Sequence, residues 1–262
     1  MGAQREHDDF DDPAVVAAMA ATLPRPVVVG LDVDGVLAPI VSHADDARLL
    51  PGVLEAVGEL AALTPVAVVS GRSIEDLSRF GFPEHVEMFG THGLERRDES
   101  PVELGQQEQR RYERLARLAA DAADQAGHGA WVEVKPAGVV LHVREAPPDR
   151  SAASVAELHR RAADVTGAHV LPGHGVVELL ARVTSKATAI AALCDEVHGG
   201  GVVFVGDDRT DEEVFEALAL GDGGCSVKVG PGPTAARCRL AGPPEVLQFL
   251  HALTVALAEP EV

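Results

Sequence analysis

The chain has 262 residues, of which 46% are hydrophobic, and this is enough to build a buried core in one large or two ordinary domains. Its 41 acidic and 22 basic residues give a formal net charge of -19, which argues against nucleic acid or an anionic membrane surface as a general partner. The three cysteines form no Cys-x-x-Cys pair, and neither a membrane-spanning apolar run nor a signal peptide is visible. These features predict a globular protein of the cytoplasm.

The first hundred residues alternate between strand and helix patterns, as in a doubly wound parallel sheet. Residues 1–13 are predicted to be a flexible acidic leader. The β-branched run that begins at Val27 predicts a strand buried on both faces. Apolar spacing and turn residues then predict helices over 14–22, 51–63 and 74–80, and strands over 66–69 and 86–89.

The pattern changes between residues 101 and 182. It predicts a charged helix over 103–125, a hairpin with strands 131–135 and 139–144, a helix over 151–166, and one or two strands within 169–180. Antiparallel strands combined with helices differ from the parallel pattern on either side. We therefore expect 101–182 to be an α+β cap domain inserted into a catalytic core formed by 14–100 and 183–262.

The parallel pattern resumes after residue 182. Ser185 is predicted to cap a helix that extends to about residue 197, and a buried strand follows over 202–205. A capping box of Thr210 and Glu213 is predicted before a helix over 214–220. A strand over 225–229 and a helix over 243–257 complete the predicted core.

Polar residues stand where the predicted parallel strands end. They are Asp32 and Asp34 after the first strand, Ser70 after the second, and Asp207, Asp208 and Asp211 after the strand over 202–205. Because the carboxyl ends of parallel strands share one edge of a sheet, residues far apart in sequence can meet there. The sequence therefore predicts one acidic site at this edge.

Lys186 directly follows the predicted N-cap Ser185, where the helix dipole disfavours a cation. An anion shared by Lys186 and the helix end would remove this conflict. Carboxylates for a hard divalent cation, a hydroxyl, and a lysine for an anion together indicate a phosphoryl-transfer site. In such a site Asp32 would attack phosphorus, and Asp34 would transfer protons to the leaving oxygen and from water.

Each of these residues also has a purely structural interpretation. Asp32 and Asp34 are compatible with a solvated Asp-Gly turn. The Ser70 hydroxyl could serve only to accept a hydrogen bond from a backbone amide in a turn. Lysines are usually solvated surface charges, and the acids before the helix over 214–220 favour its N-terminus. The charged residues of the hairpin are compatible with a salt-bridged, solvated strand face.

The motifs resemble those of the haloacid dehalogenase superfamily of phosphatases. The similar residues are 32–37 (DVDGVL), 70–72 (SGR), Lys186 and 206–208 (GDD). More narrowly, the chain resembles the trehalose-6-phosphate phosphatase family at 90–93 (GTHG), Glu133-x-Lys135, His142-x-Arg144, Glu178 and 206–218 (GDDRTDEEVFEAL). The resemblance covers roughly residues 27–253. It implies an α/β fold with a Rossmann-like doubly wound core and an inserted α+β cap of the C2 type.

The resemblance also implies a Mg²⁺-dependent phosphatase that converts trehalose 6-phosphate to trehalose and phosphate through an aspartyl-phosphate. Mg²⁺ would be held by Asp32, Asp207 and the backbone carbonyl of Asp34. Asp208 and Asp211 would orient these ligands without binding the ion themselves. Phosphate would be bound by Ser70, Gly71 and Lys186. The implied substrate-binding residues are Arg72, Thr91, His92, Gly93, Glu133, Lys135, Arg144 and Glu178. The expected partner is a small-molecule sugar phosphate, and the oligomeric state stays open, with a monomer compatible.

The chain departs from the expected pattern at three positions. Ala181 replaces a Pro and Ala187 a Gly that are usual in the family, and Val36 stands where Thr is common in the superfamily. Two other functions stay open: a phosphatase for another sugar phosphate, and a catalytically silent domain that binds a phospho-sugar. Because every charged motif residue is present, the sequence favours an enzyme.

Overall fold

The computed structural model describes residues 9–41, 43–100, 102–173, 175–221 and 223–259. Most of the predicted leader therefore lies outside the described residues. Within them, Asp11 and Arg239 exchange two hydrogen bonds of 2.7 and 2.8 Å, and the Asp12 side chain caps the first helix. The described chain divides into two compact units, one formed by residues up to Glu99 and from Ser185 onward, the other by Ser100–Thr184.

The helices and strands follow one another in three groups. Before the second unit come α1 (Pro13–Ala21), β1 (Val27–Leu31), α2 (Val53–Ala61), β2 (Val66–Val69), α3 (Ile74–Ser78), β3 (Glu87–Gly90) and β4 (Glu95–Arg96). The second unit contains α4 (Gln106–Ala126), β5 (Trp131–Lys135), β6 (Gly138–His142), α5 (Pro148–Ala163), β7 (His169–Gly173) and β8 (Val176–Leu180). After it come α6 (Lys186–Glu196), β9 (Gly201–Gly206), α7 (Arg209–Ala219), β10 (Gly224–Val229), β11 (Cys238–Leu240) and α8 (Pro243–Ala258).

The first unit is built on a seven-stranded sheet with the order β11-β10-β9-β1-β2-β3-β4. Every neighbouring pair is parallel except β3 and β4. The central strand β1 is buried along its whole length, and apolar clusters lie on both faces of the sheet. Leu31 pairs with Val68 of β2 and with Val205 of β9, so the carboxyl ends of these three strands are level. The predicted doubly wound sheet is confirmed.

The second unit is a four-stranded antiparallel sheet with the order β5-β6-β8-β7. One face packs on α4 and α5, where Leu141 and Leu179 join Leu115 and Leu158 in a buried cluster. Because side chains alternate along a strand, the opposite face carries Glu133 and its alternate neighbours. Among the helices of the described ranges, none combines the length and apolar composition that crossing a bilayer requires.

Several element boundaries differ from the sequence prediction. Helix α7 begins at Arg209, five residues before the predicted start, because the Asp208 side chain accepts hydrogen bonds from the amides of Thr210 and Asp211. The predicted capping box of Thr210 and Glu213 is therefore wrong, and Asp208 with Asp211 forms the box instead. Strands β4 and β11 were not predicted because they contain only two and three residues.

The boundaries also differ in the second unit. Strand β6 ends at His142, so Arg144, which was predicted to lie in the strand, lies two residues beyond it. There the amide of Val143 donates to the carbonyl of Gly175, and the amide of Ala146 donates to the carbonyl of Val143. A turn therefore replaces the hydrogen bonds between strands. The segment 169–180 contains two strands, and His174, which stands between them in the sequence, lies outside the described residues.

Candidate active site

Lys186 joins two buried carboxylates at the carboxyl edge of the parallel sheet. Its ammonium nitrogen lies 2.7 Å from Oδ1 of Asp211 and 3.1 Å from Oδ1 of Asp32. The side chains of Lys186 and Asp211 are 2% and 0% exposed, so the interpretation of Lys186 as a solvated surface charge is wrong. Burial alone would lower the pKa of Lys186, but Asp211 and Asp32 raise it above its usual value. The ammonium group is therefore held in its charged form.

Asp32, Asp207 and Asp211 form an acidic trio, with carboxylate oxygens all within 4.8 Å of one another. Burial raises the pKa of Asp32 well above its usual value, although Lys186 partly opposes the shift. Burial and the charges of Asp208 and Asp211 raise the pKa of Asp207 to about 7. Burial likewise raises the pKa of Asp211. This crowding disfavours the charged forms, which a bound cation would stabilise.

Asp211 also fixes the backbone of the loop after β9. Its Oδ2 accepts hydrogen bonds from the amides of Asp207 and Asp208 at 2.9 and 3.1 Å, while Oδ1 accepts from Lys186. Asp208 caps α7. Burial opposes ionisation of Asp208, but Lys186 and the hydroxyl of Thr210 outweigh it and lower the pKa of that carboxyl. One buried carboxylate thus links Lys186, the loop and the start of α7.

Asp34 forms a two-pronged ion pair with Arg72. The guanidinium nitrogens Nε and Nη2 lie 2.7 and 2.8 Å from the two carboxylate oxygens. The side chains are 12% and 38% exposed for Arg72 and Asp34, so the pair is only partly in contact with solvent. A bidentate pair of this kind fixes the orientation of the carboxylate. The sequence predicted Arg72 to bind substrate; in the structure its guanidinium contacts Asp34 and also lies over the Phe80 ring.

Gly35 brings the backbone close to Asp207. Its φ is +80°, and a Cβ atom at this position would lie 2.1 Å from Oδ2 of Asp207. The turn after β1 therefore requires glycine both for its left-handed conformation and for the space that the carboxylate occupies. Oxygen donors that converge in this way are the ligand type that Mg²⁺ prefers. The residues present fit a divalent cation.

The loops after β2 and β3 are linked by backbone hydrogen bonds. The amide of His92 donates to the Ser70 carbonyl at 2.9 Å, and the amide of Thr91 donates to the Arg72 carbonyl at 2.7 Å. The buried Ser70 hydroxyl accepts from the Arg72 amide at 3.2 Å, which is the structural role considered from the sequence. A Cβ atom at Gly71 would lie 2.8 Å from the His92 ring, so that ring packs directly on the glycine.

Thr91, His92 and Gly93 are three consecutive residues in the left-handed region, with φ values of 47°, 56° and 95°. This conformation costs a non-glycine residue roughly 1–2 kcal/mol. Strain of this kind persists where the surrounding structure fixes it, and it concentrates at functional sites. The assignment of this turn to substrate binding stays a prediction.

In the second unit, the sheet face opposite the helices carries two charged contacts. Lys135 Nζ lies 2.9 Å from Oε1 of Glu178, and both side chains are 10% exposed. His142 Nε2 lies 2.8 Å from Oε2 of Glu133, and this contact lowers the pKa of Glu133. These contacts form a charged cluster across β5, β6 and β8. Arg144 lies beyond the end of β6.

Comparison with known proteins identifies the family. The model of the trehalose-phosphatase family matches residues 30–243. The chain belongs to this family. It is a phosphoric monoester hydrolase with a haloacid dehalogenase-like fold, and the predicted family, fold class and enzyme class are confirmed.

Two curated relatives and one solved structure illustrate this similarity. The trehalose-6-phosphate phosphatase of Escherichia coli (strain K12) is 35% identical over 243 residues, 87% of this chain and 86% of that protein. The trehalose-phosphate phosphatase of Mycobacterium marinum is 32% identical over 252 residues, 90% of this chain but 63% of that protein, so the chain spans less than two thirds of this relative. The C-terminal domain of C. albicans trehalose-6-phosphate phosphatase has a TM-score of 0.80 at 19% identity, covering 95% of this chain and 99% of that one, and shows a shared fold.

One departure from the trehalose-phosphatase pattern has a local structural reason. The amide of Ala181 donates a hydrogen bond of 2.7 Å to the carbonyl of Ala137, and the proline usual at this position has no amide hydrogen to donate. Ala187 lies in the first turn of α6, directly after Lys186, where ordinary helical geometry makes no demand for glycine.

Sequence reasoning gave no role to Lys228. This buried residue lies opposite Gly206 in the register of β10 and β9, and its ammonium group donates to the carbonyl of Asp207. The available signal was a lysine near the carboxyl end of an otherwise apolar strand. Lys228 therefore helps to fix the loop that carries Asp207.

Proposed function

We propose that this protein hydrolyses trehalose 6-phosphate to trehalose and phosphate, as a step of trehalose biosynthesis, through a phosphorylated Asp32. The observation that carries the proposal is the buried contact of Lys186 with Asp32 at the strand edge where Asp207 also lies. The E. coli and M. marinum relatives are named for this activity, which supports the choice of sugar phosphate. Because its cysteines form no disulfide-like spacing, we expect the chain to act in the cytoplasm.

The proposed cofactor is Mg²⁺. Asp32, Asp207 and the backbone carbonyl of Asp34 would hold the ion. Asp208 and Asp211 would orient these ligands without binding the ion themselves. The raised pKa values of Asp32 and Asp207 support this assignment, because crowded buried carboxylates favour a site that a cation completes. Bound Mg²⁺ would screen the charge between a carboxylate and the phosphate.

Asp32 supplies the oxygen that attacks phosphorus. The bond from Asp32 to phosphorus forms as the bond from phosphorus to the sugar oxygen breaks, and Asp34 protonates that oxygen. In the second step Asp34 removes a proton from the water that hydrolyses the aspartyl-phosphate. Arg72 orients the Asp34 carboxylate for the second step, in which it accepts the proton from water, because their contact fixes both oxygens of the ionised carboxylate.

Phosphate is bound by the hydroxyl of Ser70, the backbone at Gly71 and the charge of Lys186, which Asp211 orients. The proposed sugar-binding residues are Thr91, His92, Gly93, Glu133, Lys135, Arg144 and Glu178, whereas Arg72, which the sequence assigned to substrate binding, is proposed to orient Asp34. Fixed carboxylates and an ammonium group on one sheet face, as at Lys135 and Glu178, are suited to the hydroxyl groups of a sugar.

Phosphate release over a panel of sugar phosphates tests the proposal. We expect trehalose 6-phosphate to be the fastest substrate, a chelator to stop release, and added Mg²⁺ to restore it. Asp32→Asn should abolish phosphate release and leave the circular dichroism spectrum unchanged. The control Asp45→Asn, at an exposed carboxylate of the same unit, should leave phosphate release unchanged. Preference for another sugar phosphate would identify that alternative substrate. Release from no member of the panel would indicate the catalytically silent domain.

A further inference from the structure

Trp131 is the one tryptophan of the chain, and its side chain is 53% exposed. It begins β5 and lies directly opposite His142 of β6 in the strand register. The indole lies flat on the imidazole, with ring centroids 3.8 Å apart and an interplanar angle of 3°. His142 thus covers one face of the indole, and the exposed fraction leaves the other face accessible. An aromatic ring that is supported on one face and open on the other can stack on a flat face of a ligand.

The neighbours of Trp131 on the same sheet face are charged and fixed. Glu133 lies two residues further along β5, and its carboxylate contacts the same His142 whose ring supports the indole. Lys135, again two residues further, is held by Glu178. An open aromatic face therefore adjoins a row of hydrogen-bonding groups in defined positions.

This combination matches the surface of a pyranose ring. A pyranose presents C–H groups on one face, and their positive hydrogens are attracted to the negative face of an aromatic ring. Its hydroxyl groups project around the rim, where carboxylates and an ammonium group can pair with them. An acyclic phosphate offers no such flat C–H face.

We infer that Trp131, supported by His142, is a stacking platform for a pyranose ring and determines which sugar phosphates this protein selects. The inference rests on the proposed function and adds a specificity residue to it. Binding energy from a sugar remote from the phosphate would raise kcat/KM for the disaccharide relative to small phosphates. A purely structural stack would instead affect all substrates equally.

The first test compares kcat/KM for trehalose 6-phosphate with kcat/KM for glycerol 2-phosphate, which has no ring. In Trp131→Leu, which keeps an apolar side chain without an aromatic face, we expect this ratio to fall about tenfold. Trp131→Phe should retain most of the ratio because it keeps a ring. Val134→Ala is the matched control, since Val134 lies in the same strand on the other face and is 72% exposed. An equal ratio in Trp131→Leu and the wild type would overturn the inference.

The second test needs no substitution of Trp131, because its fluorescence is the signal of a single residue. Titrating Asp32→Asn with trehalose 6-phosphate should change the emission saturably, and glycerol 2-phosphate at equal concentration should not. Unchanged emission, with wild-type release of phosphate from trehalose 6-phosphate intact, would overturn the stacking inference alone. Absence of that release in the wild type would overturn the proposed function and this inference together.

Discussion

The ammonium nitrogen of Lys186 lies 2.7 Å from Oδ1 of Asp211, and both side chains are almost wholly excluded from solvent. Two backbone amides donate to the other oxygen of Asp211. The carboxylate therefore sets the position of the lysine relative to the loop that carries Asp207. A residue that the sequence assigned to the support of a metal also orients the cation that faces Asp32.

Asp211→Asn should lower both stability and activity. The side-chain amide has the same shape, but its NH₂ group must face either Lys186 or the backbone amides, and both are donors. We expect the free energy of unfolding to fall by roughly 2–4 kcal/mol, because a buried ion pair and its hydrogen bonds are broken together. Urea denaturation followed by circular dichroism measures the loss. Glu213→Gln, at an exposed position of α7, is the control, and equal stability of the two variants would contradict the prediction.

Gly35→Ala should remove activity through the position of Asp207. The substitution adds a Cβ atom 2.1 Å from Oδ2 of that carboxylate, so the carboxylate must move. The control is Gly81→Ala, because Gly81 has nearly the same φ, +77° against +80°, and nothing lies within 4 Å of its Cβ position. Both variants should lose about 1–2 kcal/mol of stability from the left-handed conformation. Only Gly35→Ala should also lose phosphate release and bind Mg²⁺ more weakly in calorimetry. If both variants kept phosphate release and Mg²⁺ binding, the clash at position 35 would be relieved without moving Asp207.

The sequence predicted the part of the site that follows from strand order. Asp32, Ser70 and Asp207 each follow a buried strand, and parallel strands place such residues at one edge whatever their side chains do. The position of Lys186 was predicted from the conflict between its charge and the start of α6. These two arguments required only the positions at which strands and helices end or begin, and long apolar runs in the sequence indicate those positions well.

Contacts that depend on register or on side-chain reach were not predictable. The pairing of Asp34 with Arg72 joins two loops, and a residue next to a phosphate-binding motif could equally reach a ligand. The stack of Trp131 on His142 requires the hairpin register, which pairs these two residues directly. Asp208 was not recognised as a cap because Thr210 offers a similar signal two residues later.

Arg72→Lys should reduce turnover more than stability. Lysine keeps the positive charge but cannot hold both oxygens of Asp34 in one plane, so the carboxylate loses its fixed orientation. We expect kcat to fall by about 10–100-fold, since small misplacements of a proton-transfer group have effects of this size. Steady-state kinetics should show the same fall for trehalose 6-phosphate and for glycerol 2-phosphate. Arg79→Lys, whose side chain is 61% exposed, is the control. A fall confined to the sugar substrate would instead assign Arg72 to sugar binding.

Glu108→Gln should remove a pH-dependent part of the stability of the second unit. The Arg182 guanidinium holds Glu108 through contacts of 2.7 and 2.8 Å, and together with the Gly105 amide it lowers the pKa of this carboxyl from 4.5 to about 2. Because the pKa is lower in the folded state, the stabilisation is complete above about pH 4.5 and is lost as the pH falls towards 2. The difference in free energy of unfolding between the wild type and Glu108→Gln should therefore shrink on acidification.

Urea denaturation at several pH values, followed by Trp131 fluorescence, measures this difference in the unit that contains both residues. Glu103→Gln is a matched control, because Arg182 also contacts Glu103, but through its backbone carbonyl, which the substitution leaves in place. Its stability relative to the wild type should not follow the same pH dependence. A difference for Glu108→Gln that stays constant from about pH 7 to about pH 3 would show that the ion pair does not lower the pKa of Glu108.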